Sequence, residues 1–447
     1  MTKEELLNKK VSAISLGCDK NRVDLEKILF SLRDYGFEIV AEPEEADIVI
    51  VNTCAFILPA KEESINSIIE MESLKDRGII EKILVTGCFP ERNMKELVEN
   101  FPKIDAFVRV RDNDKLPVTI AGLYGISDEK YKKKSGRVLT TTGSYAFLKI
   151  ADGCNNACSY CAIPRIRGRY VSAPIDELVS EAEKLVKDGV KEIILVAQDT
   201  SRYGEDLYGE NKLIELCKKL IKIKELKWLR LHYLYPEKLT DELLEFISNE
   251  EKICNYIDIP LQHIDDDILK SMRRRMNEAD TRALIEKIKV NFPNLALRTT
   301  FIVGYPGETS KKFKKLCEFI KDAKFDYAGF FPYYREENTA SYFMKKQVAG
   351  YIKKYRLNKV KKTQEEIVKL KVDETIGEEV DVLIDAFDCT TGLYLGHTRK
   401  QSPGVDFGVE VDGENIKIGD IIKVKINSFN GSNYGGVKLW ICQTKYH

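Results

Sequence analysis

Three short β-branched runs near the N-terminus each lead directly into a cysteine. Residues 11–16 run through Gly17 to Cys18, residues 48–51 through Asn52 and Thr53 to Cys54, and residues 83–85 through Thr86 and Gly87 to Cys88. The cysteines stand 36 (54 − 18) and 34 (88 − 54) positions apart, close to one strand–helix repeat each. Helical patterns near 24–35 and 64–74 fill the gaps. Strands alternating with helices predict a parallel α/β sheet. Its strands end at one common edge, where ligands bind. Three thiols distant in sequence are therefore expected to meet at one place, with Gly17 and Gly87 allowing tight turns there. The competing reading is three buried cysteines packed at strand ends.

The chain holds eleven cysteines in 447 residues. An odd number at such wide spacing is unlike a disulfide scaffold and points to metal binding or catalysis in a reducing compartment. No apolar run approaches the ~20 residues that span a bilayer. Residues 1–10 are charged and unlike a secretory signal, so a cytoplasmic location with no membrane partner is expected. Lys plus Arg and Asp plus Glu both total 71. A nucleic-acid footprint must then be sought locally rather than in net charge.

The pattern divides the chain into an N-terminal α/β domain over 1–126, a polar basic linker or exposed hairpin over 127–143, a second α/β domain over 144–376 and a small β domain over 377–447. In the second, strands are predicted at 146–150, 192–197, 228–233, 256–260, 297–303 and 327–332, with amphipathic helices at 175–188, 212–223, 241–247 and 311–323. Six such units predict a partial (β/α)6 barrel with its site at the C-terminal strand edge. The charged segment 346–373 is expected to pack outside it as a helix. Short alternating strands at 380–386, 393–398, 407–411, 421–427 and 436–441 predict a five-stranded antiparallel β-barrel.

The first barrel strand runs into Asp152-Gly153-Cys154-Asn155-Asn156-Ala157-Cys158-Ser159-Tyr160-Cys161, a CxxxCxxC loop. Three thiolates in eight residues can ligate three irons of a four-iron cluster, leaving one iron open to a small molecule. A zinc knuckle would need a fourth ligand, and no second cysteine pair or histidine is near. A redox CxxC pair would open a helix in a thioredoxin-like domain, unlike this barrel.

This loop resembles the signature of the radical S-adenosylmethionine (SAM) superfamily, in which SAM binds the open iron and is cleaved reductively to a 5′-deoxyadenosyl radical. Gly304, Pro306, Gly307 and Glu308, within Ile302-Val303-Gly304-Tyr305-Pro306-Gly307-Glu308, are similar to the segment near the adenine. Gln198, Asp199 and Thr200 match by position the strand end that contacts the aminoacyl part. The order of three domains resembles the methylthiotransferases, whose C-terminal domain is a TRAM barrel. The resemblance implies that Cys18, Cys54 and Cys88 hold an auxiliary 4Fe-4S cluster and that Cys154, Cys158 and Cys161 hold the radical SAM cluster. No catalytic residue beyond these six is assigned.

Ser15-Leu16-Gly17-Cys18-Asp19-Lys20-Asn21, the run 197–208 and Pro260-Leu261-Gln262-His263 look like the branch that modifies ribosomal protein S12, although Asp19 stands where proline is usual and Ala55 where glycine is commoner. The resemblance implies two half-reactions. One SAM methylates cluster-bound sulfur. A second yields the radical that takes hydrogen from the β-carbon of an aspartate, which then captures the methylthio group. The implied partners are S12, free or in the small ribosomal subunit, and a low-potential electron donor such as flavodoxin or ferredoxin; a monomer is expected.

The β domain bears on the substrate. From 378 to 447 it carries ten acidic and seven basic residues. That sign is wrong for gripping phosphates and suits a basic protein. The alternatives are a transfer-RNA adenosine methylthiotransferase and, in another class, a non-enzymatic iron–sulfur sensor or RNA-binding module. Cys217, Cys254, Cys317, Cys389 and Cys442 are read as packing residues. His232 and His263 could touch substrate or bond within the core, and His447 is terminal. Lys20, Asn21 and Asp24 could shape the first cysteine pocket, or Asp24 could cap the following helix.

Overall fold

The computed structural model describes residues 2–128, 131–132 and 134–439. Cys442, His447 and the end of the last expected strand lie outside them.

In the N-terminal region, β1 (Lys10–Ser15), β2 (Glu38–Ile39), β3 (Ile48–Thr53), β4 (Lys82–Gly87) and β5 (Ala106–Phe107) form a parallel sheet in the order β2-β1-β3-β4-β5. The central strand β3, Ile-Val-Ile-Val-Asn-Thr, is buried along its whole length, as a parallel strand covered by helices on both faces must be. The first crossover helix is Asp19–Tyr35, so it begins immediately after Cys18. Asp24 therefore lies inside the helix and not at its cap. Residues 127–143 form no hairpin among the described residues. The side chain of Arg137 in this linker is largely covered and pairs with Glu26, unlike a residue at an exposed loop tip.

Next come β6 (Tyr145–Lys149), the short antiparallel pair β7 (Ala151–Asp152) and β8 (Val171–Ser172), then β9 (Glu192–Val196), β10 (Trp228–Leu231), β11 (Tyr256–Gln262), β12 (Ala296–Val303) and β13 (Tyr327–Pro332). The six long strands follow the expected order, as two parallel three-stranded sheets, β6-β9-β10 and β11-β12-β13. A single bridge, Leu229 to Ile253, spans the seam between them. Helix Gly350–Thr375 packs against β13 and buries Val360, Thr363, Gln364 and Ile367.

The C-terminal strands β14 (Glu379–Asp388), β15 (Leu393–Thr398), β16 (Val409–Asp412), β17 (Ile421–Phe429) and β18 (Tyr434–Lys438) close into the expected five-stranded barrel. Four ladders are antiparallel, while β16 and β18 pair in parallel. The β15–β16 loop reaches into the larger barrel. Arg230 donates to the carbonyls of Arg399 (3.0 Å) and Thr398 (3.2 Å), Tyr256 donates to Asp406 (2.7 Å), and Arg298 bridges Asp406 (3.3 Å) and Asp258 (3.0 Å). These residues lie in the first three positions of β10, β11 and β12, the strand ends away from the CxxxCxxC loop. No helix among the described residues is long and apolar enough to cross a membrane.

Candidate functional site

Parallel pairing of β1, β3 and β4 brings Cys18, Cys54 and Cys88 to one sheet edge. Cys18 precedes the helix that follows β1, Cys54 follows β3, and Cys88 opens helix Cys88–Asn100 directly after β4. Gly17 (φ +89°) and Gly87 (φ +92°) make the turns. A Cβ on Gly17 would lie 2.8 Å from the Cys54 sulfur, and one on Gly87 would lie 2.3 Å from the Thr53 carbonyl oxygen. Only glycine meets both the backbone angle and the space. The Asn21 amide donates to the Leu16 carbonyl at 2.7 Å, and Asn52 donates to the Asn21 carbonyl at 2.8 Å. Ser64 takes a hydrogen bond from the Cys54 N–H (3.0 Å) and returns one to its carbonyl (2.8 Å). These bonds hold the Cys18 and Cys54 loops against each other.

The second triad follows β7. Cys154 N–H donates to the Gly168 carbonyl (3.1 Å), and Asn156 N–H donates to the Cys154 sulfur (3.4 Å). Ser159, between Cys158 and Cys161, is held from three sides: its hydroxyl pairs with Tyr305 (2.7 Å) and the Ser271 carbonyl (2.8 Å), and its own carbonyl accepts from Ser341 N–H (2.8 Å). The Cys158 sulfur lies 4.0 Å from both the Tyr235 hydroxyl and an Arg274 nitrogen.

The two triads belong to one interface. Ala162 and Ile166, just past Cys161, share a core with Ala55, Cys88 and Phe89. Arg167 is buried there. It pairs with Asp24 and Asp152 (3.2 Å), donates to Asn21 (3.0 Å) and lies 3.4 Å from the Cys88 sulfur. Lys149 joins the same two carboxylates, so Asp24 is part of an interdomain charge cluster. Arg92 donates to the Ala55 carbonyl (2.7 Å) and pairs with buried Glu336 (3.0 Å), which also takes Lys61 (3.0 Å). Lys20 sits 3.7 Å over the ring of Tyr233, a residue in the left-handed region (φ +58°) at the end of β10. Beside this cluster opens a polar cleft of about 590 Å³, lined by Lys27, Arg165 and Arg169 among others.

Burial pushes the thiols of Cys54 and Cys161 up to about 12 and that of Cys154 up to about 11; it raises Cys88 as well, with Arg167 pulling against it. Thiolates in such a setting need a metal's positive charge close by. All six sulfurs are free of disulfides. Among the described residues no three Cys, His, Asp or Glu side chains close on a single ion. An iron–sulfur cubane makes a different demand, since each thiolate takes its own iron. Two separated triads of unpaired sulfur fit it better than they fit zinc.

The other expected contacts divide into two groups. Gln198, Asp199 and Thr200 are brought to the CxxxCxxC loop: Gln198 donates to Asp152 (3.3 Å), and the buried Asp199 carboxylate accepts from Asn156 (2.7 Å) and Ser201 (2.6 Å). The Gln198 carbonyl oxygen and the Thr200 hydroxyl are buried with no partner among the described residues. Such orphaned polar atoms suit a bound ligand. Gly304, Pro306, Gly307 and Glu308 instead are knit to the outer helix and its approach. Glu308 accepts from Gly304 N–H and pairs with Arg356 (3.2 Å), and Gly307 N–H donates to the Lys346 carbonyl (3.0 Å). One Glu308 oxygen and His263 Nε2 stay unbonded, 3.7 Å apart. His232 bonds Ser402 of the C-terminal barrel (3.0 Å), a core contact. Cys217 and Cys254 are buried and Cys317 half-buried, as packing residues should be, but Cys389 is exposed in the β14–β15 turn.

Sequence reasoning missed Arg92, Lys149, Arg167, Tyr233 and Arg274. The one available signal was the run Arg165-Ile166-Arg167-Gly168-Arg169, which starts four residues after Cys161.

Residues 148–320 match the Radical SAM superfamily, residues 10–109 the Uncharacterized protein family UPF0004 and residues 376–435 the TRAM domain. A protein of Clostridium acetobutylicum named ribosomal protein uS12 methylthiotransferase RimO is 42% identical over 427 residues, 93% of this chain and 95% of the relative. Its namesake from Elusimicrobium minutum is 42% identical over 96% of this chain and 99% of the relative. Among solved structures, the radical S-adenosylmethionine methyltransferase TsrM of Kitasatospora setae with cobalamin and a [4Fe-4S] cluster bound shares the fold. Its TM-score is 0.55 at 15% identity, over 75% of this chain and 77% of that one.

Proposed function

The chain belongs to the radical SAM methylthiotransferases that carry the name of ribosomal protein uS12, and from that premise we propose that it adds a methylthio group to the β-carbon of an aspartate of that protein. One observation carries the reading: two triads of unpaired cysteines, from two domains, flank one shared core in which Cys88 and Phe89 pack against Ala162 and Ile166. In this reading Cys18, Cys54 and Cys88 hold one 4Fe-4S cluster, and Cys154, Cys158 and Cys161 hold the other. Gln198 and Thr200, with their orphaned oxygens, face SAM. When bound, these groups supply the methyl donor, the sulfur carrier and the one-electron chemistry that an unactivated C–H bond requires.

The chain's own residues supply the setting. Arg167 beside Cys88 and Arg274 beside Cys158 offset thiolate charge. The packed contact of Ala162 and Ile166 with Phe89 excludes water, which protects reactive species. Asp199, committed to Asn156 and Ser201, fixes the loop rather than the ligand.

The segments matched to known families support a division into an N-terminal methylthiotransferase domain over 1–126, a linker over 127–143, the radical SAM barrel over 144–376 and the TRAM domain over 377–447. We place the enzyme in the cytoplasm as a monomer, fed by a low-potential donor such as flavodoxin or ferredoxin. The acidic C-terminal domain favours a basic protein substrate over RNA.

The test is a competition between substrates. The protein is reconstituted without oxygen, given SAM and a chemical reductant, and offered ribosomal protein uS12 together with bulk transfer RNA. A methylthio mass increment on an aspartate, absent in Cys154→Ala and in Cys18→Ala, is the expected result. An increment on adenosine with the protein untouched refutes the substrate assignment.

A further inference from the structure

The chain is electrically neutral overall, yet one segment is not. Between Asn338 and Gln364 there are eight Lys or Arg residues and no Asp or Glu. Two of them turn inward, Lys353 to the Tyr333 carbonyl (2.7 Å) and Arg356 to Glu308. The remaining six, Lys345, Lys346, Lys354, Lys359, Lys361 and Lys362, are exposed. Among the described residues none of the six side chains has a carboxylate partner. Phe343, Tyr351 and Tyr355 stand among them, 75%, 78% and 66% exposed. Positions 351, 354, 355, 358 and 362 recur at helical spacing, so they share the outward stripe of helix Gly350–Thr375. Past Gln364 the charge reverses at Glu365 and Glu366. The basic character is confined to one end of the helix.

That end is the one nearest the CxxxCxxC loop. Ser341 N–H donates to the carbonyl of Ser159, which lies between Cys158 and Cys161. Met344 and Tyr160 pack into one cluster with Met272, Tyr305 and Tyr333. The exposed Phe343 and Lys345 are therefore separated from the cysteine loop by a single layer of backbone and side chains. A positive, aromatic-studded surface is ordinary for gripping phosphates as well. An electron carrier must come close to that loop, since electron transfer falls off steeply with distance, and an acidic carrier complements the charge of this surface.

We propose that this surface docks an acidic, low-potential electron-transfer protein and so forms the entry for electrons to the Cys154–Cys158–Cys161 site. The inference rests on the functional reading above. One electron leaves the carrier, which is oxidised by one equivalent, and is taken up by the enzyme; no bond forms or breaks at the interface. The lysines steer and orient an acidic face, and the exposed rings supply the contact at its centre.

The experiment uses the reconstituted full chain and the triple variant Lys354→Glu/Lys361→Glu/Lys362→Glu. The control is Lys184→Glu/Lys187→Glu, an equally exposed pair on helix Ile175–Lys187. Binding of a recombinant flavodoxin and of a bacterial-type ferredoxin is measured by calorimetry at several salt concentrations, and reduction by flavodoxin hydroquinone by stopped flow. Circular dichroism confirms that each variant is folded. The triple variant is expected to bind the carrier about tenfold or more weakly, with a shallower salt dependence. Its dithionite-driven turnover should be unchanged and the control should behave as wild type. Equal affinity in all three proteins overturns the proposal. So does a variant that keeps carrier binding and loses affinity for ribosomal RNA. Failure of dithionite-driven turnover in the wild type would instead refute the functional reading, which separates the two.

Discussion

His397 of β15 places each ring nitrogen on a carboxylate: Nε2 on Glu192 of β9 and Nδ1 on Asp385 at 2.7 Å. Burial pulls its pKa down, but the combined attraction of Glu192 and Asp385 outweighs burial and holds it at about 9, above the ordinary 6.5. The imidazolium is thus a clamp between the two barrels. That gap is worth ~3 kcal/mol at about 1.4 kcal/mol per pH unit. Because the folded value is the higher one, the stabilisation is present in full below pH 6.5 and drains away as the pH rises to about 9. Trp228, 5.7 Å from the His397 ring, reports the junction, with Trp440→Phe as background. Urea unfolding followed by its fluorescence should show the midpoint falling by roughly 1–2 M between pH 6.5 and 9. His397→Gln should start that much lower and change little with pH. A midpoint indifferent to pH, or equal slopes in the two proteins, would refute the clamp.

Three further outcomes follow from the same geometry. Gly87→Ala, which forces a Cβ against the Thr53 carbonyl, should cut the iron content of reconstituted protein by about half, since only the four irons we assign to Cys88's triad are lost. Arg167→Met should destabilise the chain by roughly 1.5–3 kcal/mol in thermal unfolding, because Asp24 and Asp152 lose one of their two cationic partners and keep Lys149; Arg167→Lys should recover part of it. In native apoprotein, Cys389 should react at once with a maleimide, while Cys217 and Cys254, buried with thiols pushed up to about 12, should react only on unfolding.

The strands were legible because β-branched runs punctuated by glycine leave few other choices, and the meeting of Cys18, Cys54 and Cys88 because parallel strands end at one common edge. Helix starts were less so. Asp24 looked like a cap, yet the backbone already turns helical after Cys18, and Asp24 spends its charge on Lys149 and Arg167. Arg167 lies 143 residues from Asp24, and no local pattern announces such a pair. Cys389 looked like a strand-end packing residue; the turn it occupies is open to solvent on both sides. The seam between β10 and β11 was equally unreadable, since each strand alone has an ordinary pattern, yet β10 bridges only to Ile253, ahead of β11.

The loop between β15 and β16 sets an order on biosynthesis. Glu192 and Arg230 pair with each other (2.6 Å) and Arg298 pairs with Asp258 (3.0 Å) inside the central barrel, but their remaining partners, the carboxylate of Asp406, the His397 ring and the carbonyls near 398, emerge from the ribosome much later. Until then the nascent central barrel leaves these ion pairs uncovered at its floor. A chain of this design completes its central barrel only once the β15–β16 loop has been made, so a product truncated before that loop exposes the barrel floor to water and to proteases.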